Sequence, residues 1–161
     1  MRLSVGDRAP AFSLPDGEGT IHRLSQYRGR WVLLYFYPRD NTPGCILEAC
    51  AFRDAWDTFA KNNTVVLGVS ADSALRHQKF SQKYRLPFPL LSDEQKDVLR
   101  AYGVWGKKSF LGKSFFGILR RSFLINPSGR IAKRYDHVQP LTHAQDVLAD
   151  LHAVRQLRQA K

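Results

Sequence analysis

Several features that define common protein classes are scarce or missing in this chain of 161 residues. Its two cysteines are too few for a disulfide scaffold, and a chain of this length buries a core without one. No apolar run approaches the roughly 18–20 residues of a membrane span. The first residues turn polar too soon for a signal peptide. We therefore expect one domain over residues 1–161, a cytoplasmic location and no membrane partner.

The histidines do not form a metal-binding pattern. They are scattered along the chain, and none stands at zinc-ligand spacing from another histidine or from a cysteine. We therefore expect no metal site. The histidines are His22, His77, His137, His143 and His152.

Acidic residues are missing from one long stretch of a chain whose net charge is +11. Residues 98–135 contain nine lysines and arginines, no aspartate or glutamate, and many aromatic side chains. Such a stretch is a candidate nucleic-acid surface. Charge alone, however, gives only non-specific attraction, so we favour a solvated basic face with at most weak nucleic-acid binding.

Strand signals recur through the sequence. The continuous apolar runs at 31–37 and 64–70 are typical of strands buried on both faces of a sheet. Turn-rich segments at 15–19 and 126–129 lie between shorter strand signals, and each predicts a hairpin. Residues 103–118 show no sustained period, and we interpret them as a loop.

Helix signals alternate with the strands. A helix is expected from Cys45, and a second one begins after a cap at Asp72 or Ser73. In the second helix the apolar positions include Leu75, Phe80 and Tyr84, and His77 is interpreted as a surface residue. The alternation ends in a hairpin and a final helix. This order predicts an α/β protein with an N-terminal β-hairpin and a central mixed sheet flanked by helices.

The two cysteines lie close together at the start of a predicted helix. The loop at 38–44 follows a buried strand and delivers Cys45 to the helix N-terminus, where the helix dipole and free N–H groups favour a thiolate. Thr42 places a hydroxyl within reach of the sulfur or of a bound substrate oxygen. A lone cysteine is commonly an inert buried residue. A second one, Cys50, only five residues away favours chemistry.

The spacing of the cysteines restricts how they can react. In an ideal helix, residues five apart have Cα atoms about 8.7 Å apart, because a rise of about 7.5 Å combines with a rotation of about 140°. A disulfide needs a Cα separation below roughly 7 Å. Cys45 and Cys50 can therefore bond only if the first turns of the helix unwind. The alternative is that Cys50 is simply a core residue of an amphipathic helix.

The segment around the cysteines resembles the peroxiredoxins. Pro38, Thr42 and Cys45 meet the Pro-x-x-x-Thr-x-x-Cys pattern of that superfamily. The Cys-x-x-x-x-Cys spacing to Cys50 is similar to that of the bacterioferritin comigratory protein group, also called peroxiredoxin Q. The resemblance covers nearly the whole chain, with further matches at 68–73, 86–93 and 120–125.

The resemblance implies a thioredoxin-like fold and a thiol peroxidase that reduces hydrogen peroxide and organic hydroperoxides without a cofactor. It makes Cys45 the peroxidatic cysteine and Cys50 the resolving one, joined in an intramolecular disulfide that thioredoxin or a similar dithiol reduces. Thr42 would bond the peroxide oxygens, and Pro38 would shield the pocket. Arg120 stands where the family has its active-site arginine. A monomer is expected, since no typical C-terminal resolving cysteine is present.

Two positions beside these residues qualify the resemblance. Arg121 follows the expected active-site arginine, but strand alternation points it to the opposite face of the sheet. Ile46 stands where family members commonly have threonine, which removes a polar group near the helix start.

A disulfide reductase with a thioredoxin-like fold is the alternative enzyme class. Such proteins usually carry Cys-x-x-Cys, which this chain lacks. Fast turnover of a small disulfide without any peroxide would favour this alternative.

Overall fold

Nine strands and five α-helices make up the part of the chain that the computed structural model describes, which is residues 2–159, with side chains to residue 157. None of the helices in this part is both long and apolar enough to cross a membrane. The strands are β1 (Ser13–Pro15), β2 (Ile21–Arg23), β3 (Trp31–Phe36), β4 (Thr64–Ser70), β5 (Leu90–Ser92), β6 (Trp105–Phe110), β7 (Lys113–Ile118), β8 (Arg121–Ile125) and β9 (Ile131–Tyr135). The helices are α1 (Pro43–Asp54), α2 (Trp56–Lys61), α3 (Ala74–Tyr84), α4 (Asp97–Ala101) and α5 (His143–Gln159).

A five-stranded mixed sheet forms the centre, in the order β5-β4-β3-β8-β9. β3 runs parallel to β4 and antiparallel to β8, with Leu33 opposite both Val66 and Leu124. Every residue of β3 and β4 is buried, because continuous apolar segments of this kind need cover on both faces. The mixed sheet and the N-terminal β1–β2 hairpin confirm the fold class expected from the sequence.

Alternate residues of β3 face two different hydrophobic layers. Val32, Leu34 and Phe36 pack on the side covered by the β1–β2 hairpin and α4. Leu33 and Tyr35 pack on the other side, against α1, α3 and α5. Helices therefore cover both faces of the sheet, and the cysteine-bearing helix belongs to the second layer.

Helix α1 begins two residues earlier than expected, at Pro43. Proline suits the first turn of a helix because its missing N–H has no intrahelical acceptor there. The preceding Thr42 is extended, as is usual at an N-cap position. The helix ends at Asp54, and a separate helix, α2, follows. Both cysteines therefore lie within one intact helix.

Helix α3 corrects one expectation. Ser73 caps it, accepting a hydrogen bond from the Arg76 N–H at 3.2 Å. Of its apolar positions, Phe80 is buried and Leu75 is 59% exposed. The interpretation of His77 as a surface residue is wrong, since its exposure is 0%. His77 and Phe80 are three residues apart and share the buried face of the helix.

The segment interpreted as a loop, 103–118, is mainly a β-hairpin. β6 pairs antiparallel with β7 through a two-residue turn at Leu111 and Gly112. Both turn residues have positive φ, 52° and 78°, as a type I′ turn requires. The usual Asn-Gly signal is absent, and the adjacent exposed Phe115 and Phe116 break the alternation by which strands are recognised.

Candidate active site

Cys45 lies at the carboxyl end of β3, on the third residue of α1. Its side chain is only 1% exposed and packs in the layer that contains Tyr35 and Phe52. The free N–H groups and the positive end of the helix dipole are therefore beside the sulfur, and both stabilise a thiolate.

Arg120 is the cation that contacts this sulfur. Its Nη2 donates to Cys45 Sγ at 3.3 Å, and its Nη1 donates to Glu48 Oε1 at 2.7 Å. Burial acts to lower the pKa of Arg120, but the charges of Glu48 and Cys45 outweigh it and the pKa is raised. The guanidinium is therefore a permanent positive charge held between a sulfur and a carboxyl group.

Strand alternation explains why Arg120 rather than Arg121 reaches the cysteine. Leu124 of β8 packs in the same layer as Cys45, and Arg120 is four residues before it, so both face the same side. Arg121 faces the other way: it donates to the carbonyl of Gly103 at 3.2 Å and pairs with Asp136 at 3.7 Å.

Glu48 is fully buried beneath this pair. One carboxylate oxygen accepts from Arg120, while Oε2 has no hydrogen-bond partner among the described residues. Burial raises the pKa of Glu48 to about 7, although the charge and hydrogen bond of Arg120 act to lower it. The buried carboxyl group of Glu48 therefore keeps its proton to a higher pH than an exposed glutamate does.

Thr42 and Pro38 lie in the loop that precedes α1. The Thr42 hydroxyl donates to the carbonyl of Arg39 at 2.9 Å, so its proton is engaged within the loop and its lone pairs can accept. Pro38 is half-buried immediately after the last buried residue of the β3 segment, Tyr37. Both residues therefore lie in the short loop that leads into the N-terminus of α1, where Cys45 is.

Cys50 faces a different part of the molecule. It is half-buried and lines a groove between α1 and the start of α5, with Leu47 and Leu141 among its neighbours. Both cysteines are free. Because both lie in one intact helix, a bond between them requires the first turns of α1 to unwind.

Comparison with known proteins identifies this arrangement. Residues 5–134 match the AhpC/TSA family. A putative peroxiredoxin Bcp of Coxiella burnetii is 46% identical over 94% of this chain and 100% of its own length. Peroxiredoxin Bcp of Bacillus subtilis is 42% identical, with 94% and 96% covered. The chain belongs to the AhpC/TSA family of peroxiredoxins.

A solved structure agrees with this assignment. The bacterioferritin comigratory protein of Xanthomonas campestris, described for its alkyl peroxide reduction activity, superposes with a TM-score of 0.84 at 38% identity. The match covers 88% of this chain and 90% of that one. This peroxiredoxin therefore has the thioredoxin-like fold, and it is a peroxidase whose substrate is a peroxide and whose reductant is thioredoxin-like.

Of the residues singled out in its sequence, the structure brings Arg120 into contact with Cys45 and leaves Cys50 apart from them. Glu48 was not assigned a role, although its position three residues after Cys45 places it on the same helix face. Lys108 was also missed. It donates to the carbonyl of Ile118 at 2.9 Å, and burial and Arg120 lower its pKa while Cys45 acts to raise it.

Proposed function

We propose that this peroxiredoxin reduces hydrogen peroxide and organic hydroperoxides through the thiolate of Cys45, with Cys50 as the resolving cysteine. The observation that carries the proposal is the 3.3 Å contact between Arg120 Nη2 and Cys45 Sγ at the start of a helix. A buried sulfur held between a guanidinium and free backbone N–H groups is prepared to react as a thiolate.

In the first step the thiolate of Cys45 attacks one oxygen of the hydroperoxide. The S–O bond forms as the O–O bond breaks, and sulfur is oxidised to a sulfenic acid while the peroxide is reduced. The leaving oxygen takes a proton and departs as water or an alcohol. Negative charge moves from the sulfur onto the oxygens, so a fixed cation beside the reacting atoms lowers the barrier.

The neighbouring residues have separate roles in this proposal. Arg120 stabilises first the thiolate and then the charge on the peroxide oxygens. Thr42 accepts a hydrogen bond from the terminal O–H of the peroxide, since its own proton is engaged with Arg39. Pro38 shields the pocket from water. Glu48 positions Arg120 through the 2.7 Å bond to Nη1 and does not itself touch the substrate.

In the second step Cys50 resolves the sulfenic acid. The Cys50 sulfur attacks the Cys45 sulfur, an S–S bond forms, the S–O bond breaks, and the hydroxyl leaves with a proton as water. Thioredoxin or a similar dithiol then reduces the disulfide by thiol–disulfide exchange, and becomes oxidised itself. The separation of the cysteines in α1 supports a requirement for local unwinding before this step.

The proposal also includes the substrates, the oligomeric state, the cellular compartment and the partners of the protein. Organic hydroperoxides are included because the Xanthomonas relative is described for alkyl peroxide reduction. Both cysteines lie in one helix, so resolution needs no second chain, and we take the protein to act as a monomer. A cycle that consumes a dithiol belongs in a reducing compartment, and we take this to be the cytoplasm. Nucleic acid is at most a weak and non-specific partner.

The decisive experiment is peroxide consumption by the pure protein with thioredoxin and its reductase. The parent should turn over hydrogen peroxide and an alkyl hydroperoxide, and Cys45→Ser should be inactive. In Cys50→Ser the sulfenic acid of Cys45 should accumulate, be trapped by a dimedone-type reagent and over-oxidise readily. An active Cys45→Ser would refute the proposal. Fast reduction of a small disulfide without peroxide would favour a disulfide reductase.

A further inference from the structure

The loop that delivers Cys45 is held by a buried polar cluster. The side chains of Asp40 and His77 are both 0% exposed. The Tyr37 hydroxyl donates to Asp40 Oδ1 at 2.6 Å, and His77 Nδ1 lies 2.7 Å from Asp40 Oδ2. Asp40 lies within the loop before α1, whereas His77 belongs to α3. The contact therefore joins the loop to a helix 37 residues further along the chain.

The hydrogen-bond partners of His77 determine which of its ring nitrogens carry a proton. Its Nε2 is 3.0 Å from the carbonyl oxygen of Leu91, which can only accept, so Nε2 carries a proton. The remaining nitrogen, Nδ1, faces the carboxyl group of Asp40, and one proton lies between them. Whether that proton lies on nitrogen or on oxygen, the hydrogen bond is formed and the pair has no net charge.

The backbone of Asp40 is fixed as well. Its N–H donates to Asp72 Oδ2 at 2.9 Å, and Asp72 in turn accepts from the Ser70 hydroxyl at 2.7 Å and from Arg76 Nε at 3.0 Å. The next residue, Asn41, has a φ of 64°, so the backbone turns immediately after this anchored point. The loop is therefore held at Asp40, five residues before Cys45.

We propose that Asp40 and His77 form a latch that holds the loop in the conformation in which Cys45 reacts with peroxide. His77 is a positioning residue, because it acts through Asp40 and does not contact the substrate. The latch also opposes the unwinding of α1, and so it sets how readily the sulfenic acid of Cys45 reaches Cys50. This second role rests on the proposed function of Cys50.

The latch influences a competition between two fates of the sulfenic acid. In the folded site a second hydroperoxide can add an oxygen to the sulfur and leave as an alcohol or water, giving a sulfinic acid. After unwinding, Cys50 attacks instead, and water leaves as the disulfide forms. A weaker latch favours unwinding, so it should slow the reaction of Cys45 with peroxide and reduce over-oxidation at the same time.

The test compares four variants of the full chain. His77→Phe removes both nitrogens and leaves Asp40 buried without its partner. Asp40→Asn keeps hydrogen bonds to Tyr37 and to a neutral His77, so it is the conservative rescue. Tyr37→Phe removes only one hydrogen bond to Asp40. This milder variant replaces His77→Phe in the test if His77→Phe does not fold. Leu75→Ala, on the exposed face of the same helix, is the matched control.

Two kinetic readouts separate positioning from simple loss of stability. In the Cys50→Ser background, His77→Phe should slow the reaction of Cys45 with peroxide by about 10- to 100-fold, as displacement of a reacting group does. In the protein with both cysteines, the over-oxidised fraction measured by mass spectrometry should fall at equal peroxide. Tyr37→Phe should change both quantities in the same direction and by less. Asp40→Asn and Leu75→Ala should resemble the parent.

Amide exchange in the reduced protein tests the latch without relying on peroxidase activity. Exchange across residues 38–45 should be faster in His77→Phe than in Leu75→Ala. Unchanged exchange together with an unchanged peroxide rate would overturn the latch. Equal losses of rate in His77→Phe and Asp40→Asn, in proportion to their losses of thermal stability, would also overturn it. Faster exchange in a protein without peroxidase activity would support the latch and refute the proposed function instead.

Discussion

The guanidinium of Arg120 contacts a sulfur and a carboxylate at once, at 3.3 Å and 2.7 Å. Arg121, its neighbour, pairs with Asp136 on the opposite side of the sheet. The two arginines are adjacent in the sequence, but only the guanidinium of Arg120 lies beside Cys45. The two arginines form a matched pair of positions for mutation.

We expect Arg120→Ala to lower kcat/KM for hydrogen peroxide by about 100-fold, since removing one donor to developing charge has an effect of that order. Arg121→Ala should change it by less than about threefold, because Arg121 pairs with Asp136 and does not contact Cys45. Steady-state kinetics with saturating reductant measure both. Equal losses in the two variants would contradict the assignment of Arg120.

Glu48 makes the stability of the fold depend on pH. Its pKa rises from 4.5 to about 7 on folding because the carboxyl group is buried, so between these values the folded protein holds a proton that the unfolded chain has lost. The contribution of Glu48 to the free energy of unfolding therefore falls as pH rises from 4.5 to 7, and is constant above. The total change is on the order of 3 kcal/mol.

Glu48→Gln should remove this dependence. Urea unfolding of parent and variant between pH 4.5 and 8 measures the difference, which should move in favour of the variant by up to about 3 kcal/mol as pH rises. Comparing the two proteins also cancels the opposite trend of His143, whose pKa burial lowers to about 4, so that its contribution is lost as pH falls below 6.5. A difference that does not vary with pH would contradict the assignment.

At the scale of single elements, the side chains of Tyr35 on β3 and Leu90 on β5 lie so close to Gly68 of β4 that only glycine fits there. A Cβ on Gly68 would lie 2.8 Å from Tyr35 Cζ and 2.8 Å from Leu90 Cδ2. Both neighbours are buried, and Tyr35 packs in the layer that contains Cys45. The glycine therefore makes room for an aromatic ring beneath the active site.

Gly68→Ala should lower the free energy of unfolding by about 1–3 kcal/mol, the usual effect of overpacking a core. Gly106→Ala is the control, because its Cβ would meet only the flexible end of Leu119, at 3.2 Å. Chemical denaturation of both variants measures the effect. Equal destabilisation by the two substitutions would show that the close approach to Tyr35 does not limit position 68.

Helix α1 carries both cysteines, and its conformation should change with oxidation. Since the intact helix separates Cys45 from Cys50, disulfide formation should raise amide exchange across residues 43–52 and leave β3 unchanged. The mass of the monomer should fall by two hydrogens, without a covalent dimer. Exchange and mass measured before and after peroxide treatment check this. Complete disulfide formation with unchanged exchange would mean that the two cysteines do not start on one intact helix.

Over the whole molecule, the sequence predicted best those helices and strands whose formation depends on residues close together in the chain. The apolar runs that form β3 and β4 are local signals, and so is the start of α1, which was predicted to within two residues. His77 could not be placed in this way, because its partner Asp40 is 37 residues distant and Leu75 suggested a different buried face. The position of Glu48 on the same helix face as Cys45 could have been predicted from the sequence. Its unpaired oxygen and raised pKa arise only from the packed site.

The basic stretch at 98–135 also changes meaning in the folded protein. Residues from outside the stretch pair with several of its cations: Glu48 with Arg120, Asp150 with Lys133, and Asp136 with both Arg121 and Arg134. The β6–β7 hairpin nevertheless presents exposed Lys107 and Lys113. The surface charge available to a polyanion is therefore much smaller than the count of basic residues suggests.

We expect this surface to bind DNA weakly, with an affinity that falls steeply as salt is added, because such binding rests on the release of counterions. Replacing Lys107 and Lys113 together by alanine should reduce the slope of log affinity against log salt by about 2, one unit for each phosphate that the protein no longer neutralises. Fluorescence anisotropy with a labelled duplex measures the slope, and a Lys61→Ala variant, altered on α2, is the control. Exposed lysines contact phosphates, and phosphate contacts carry no information about the base sequence. Tight, sequence-dependent binding near physiological salt would therefore contradict this expectation.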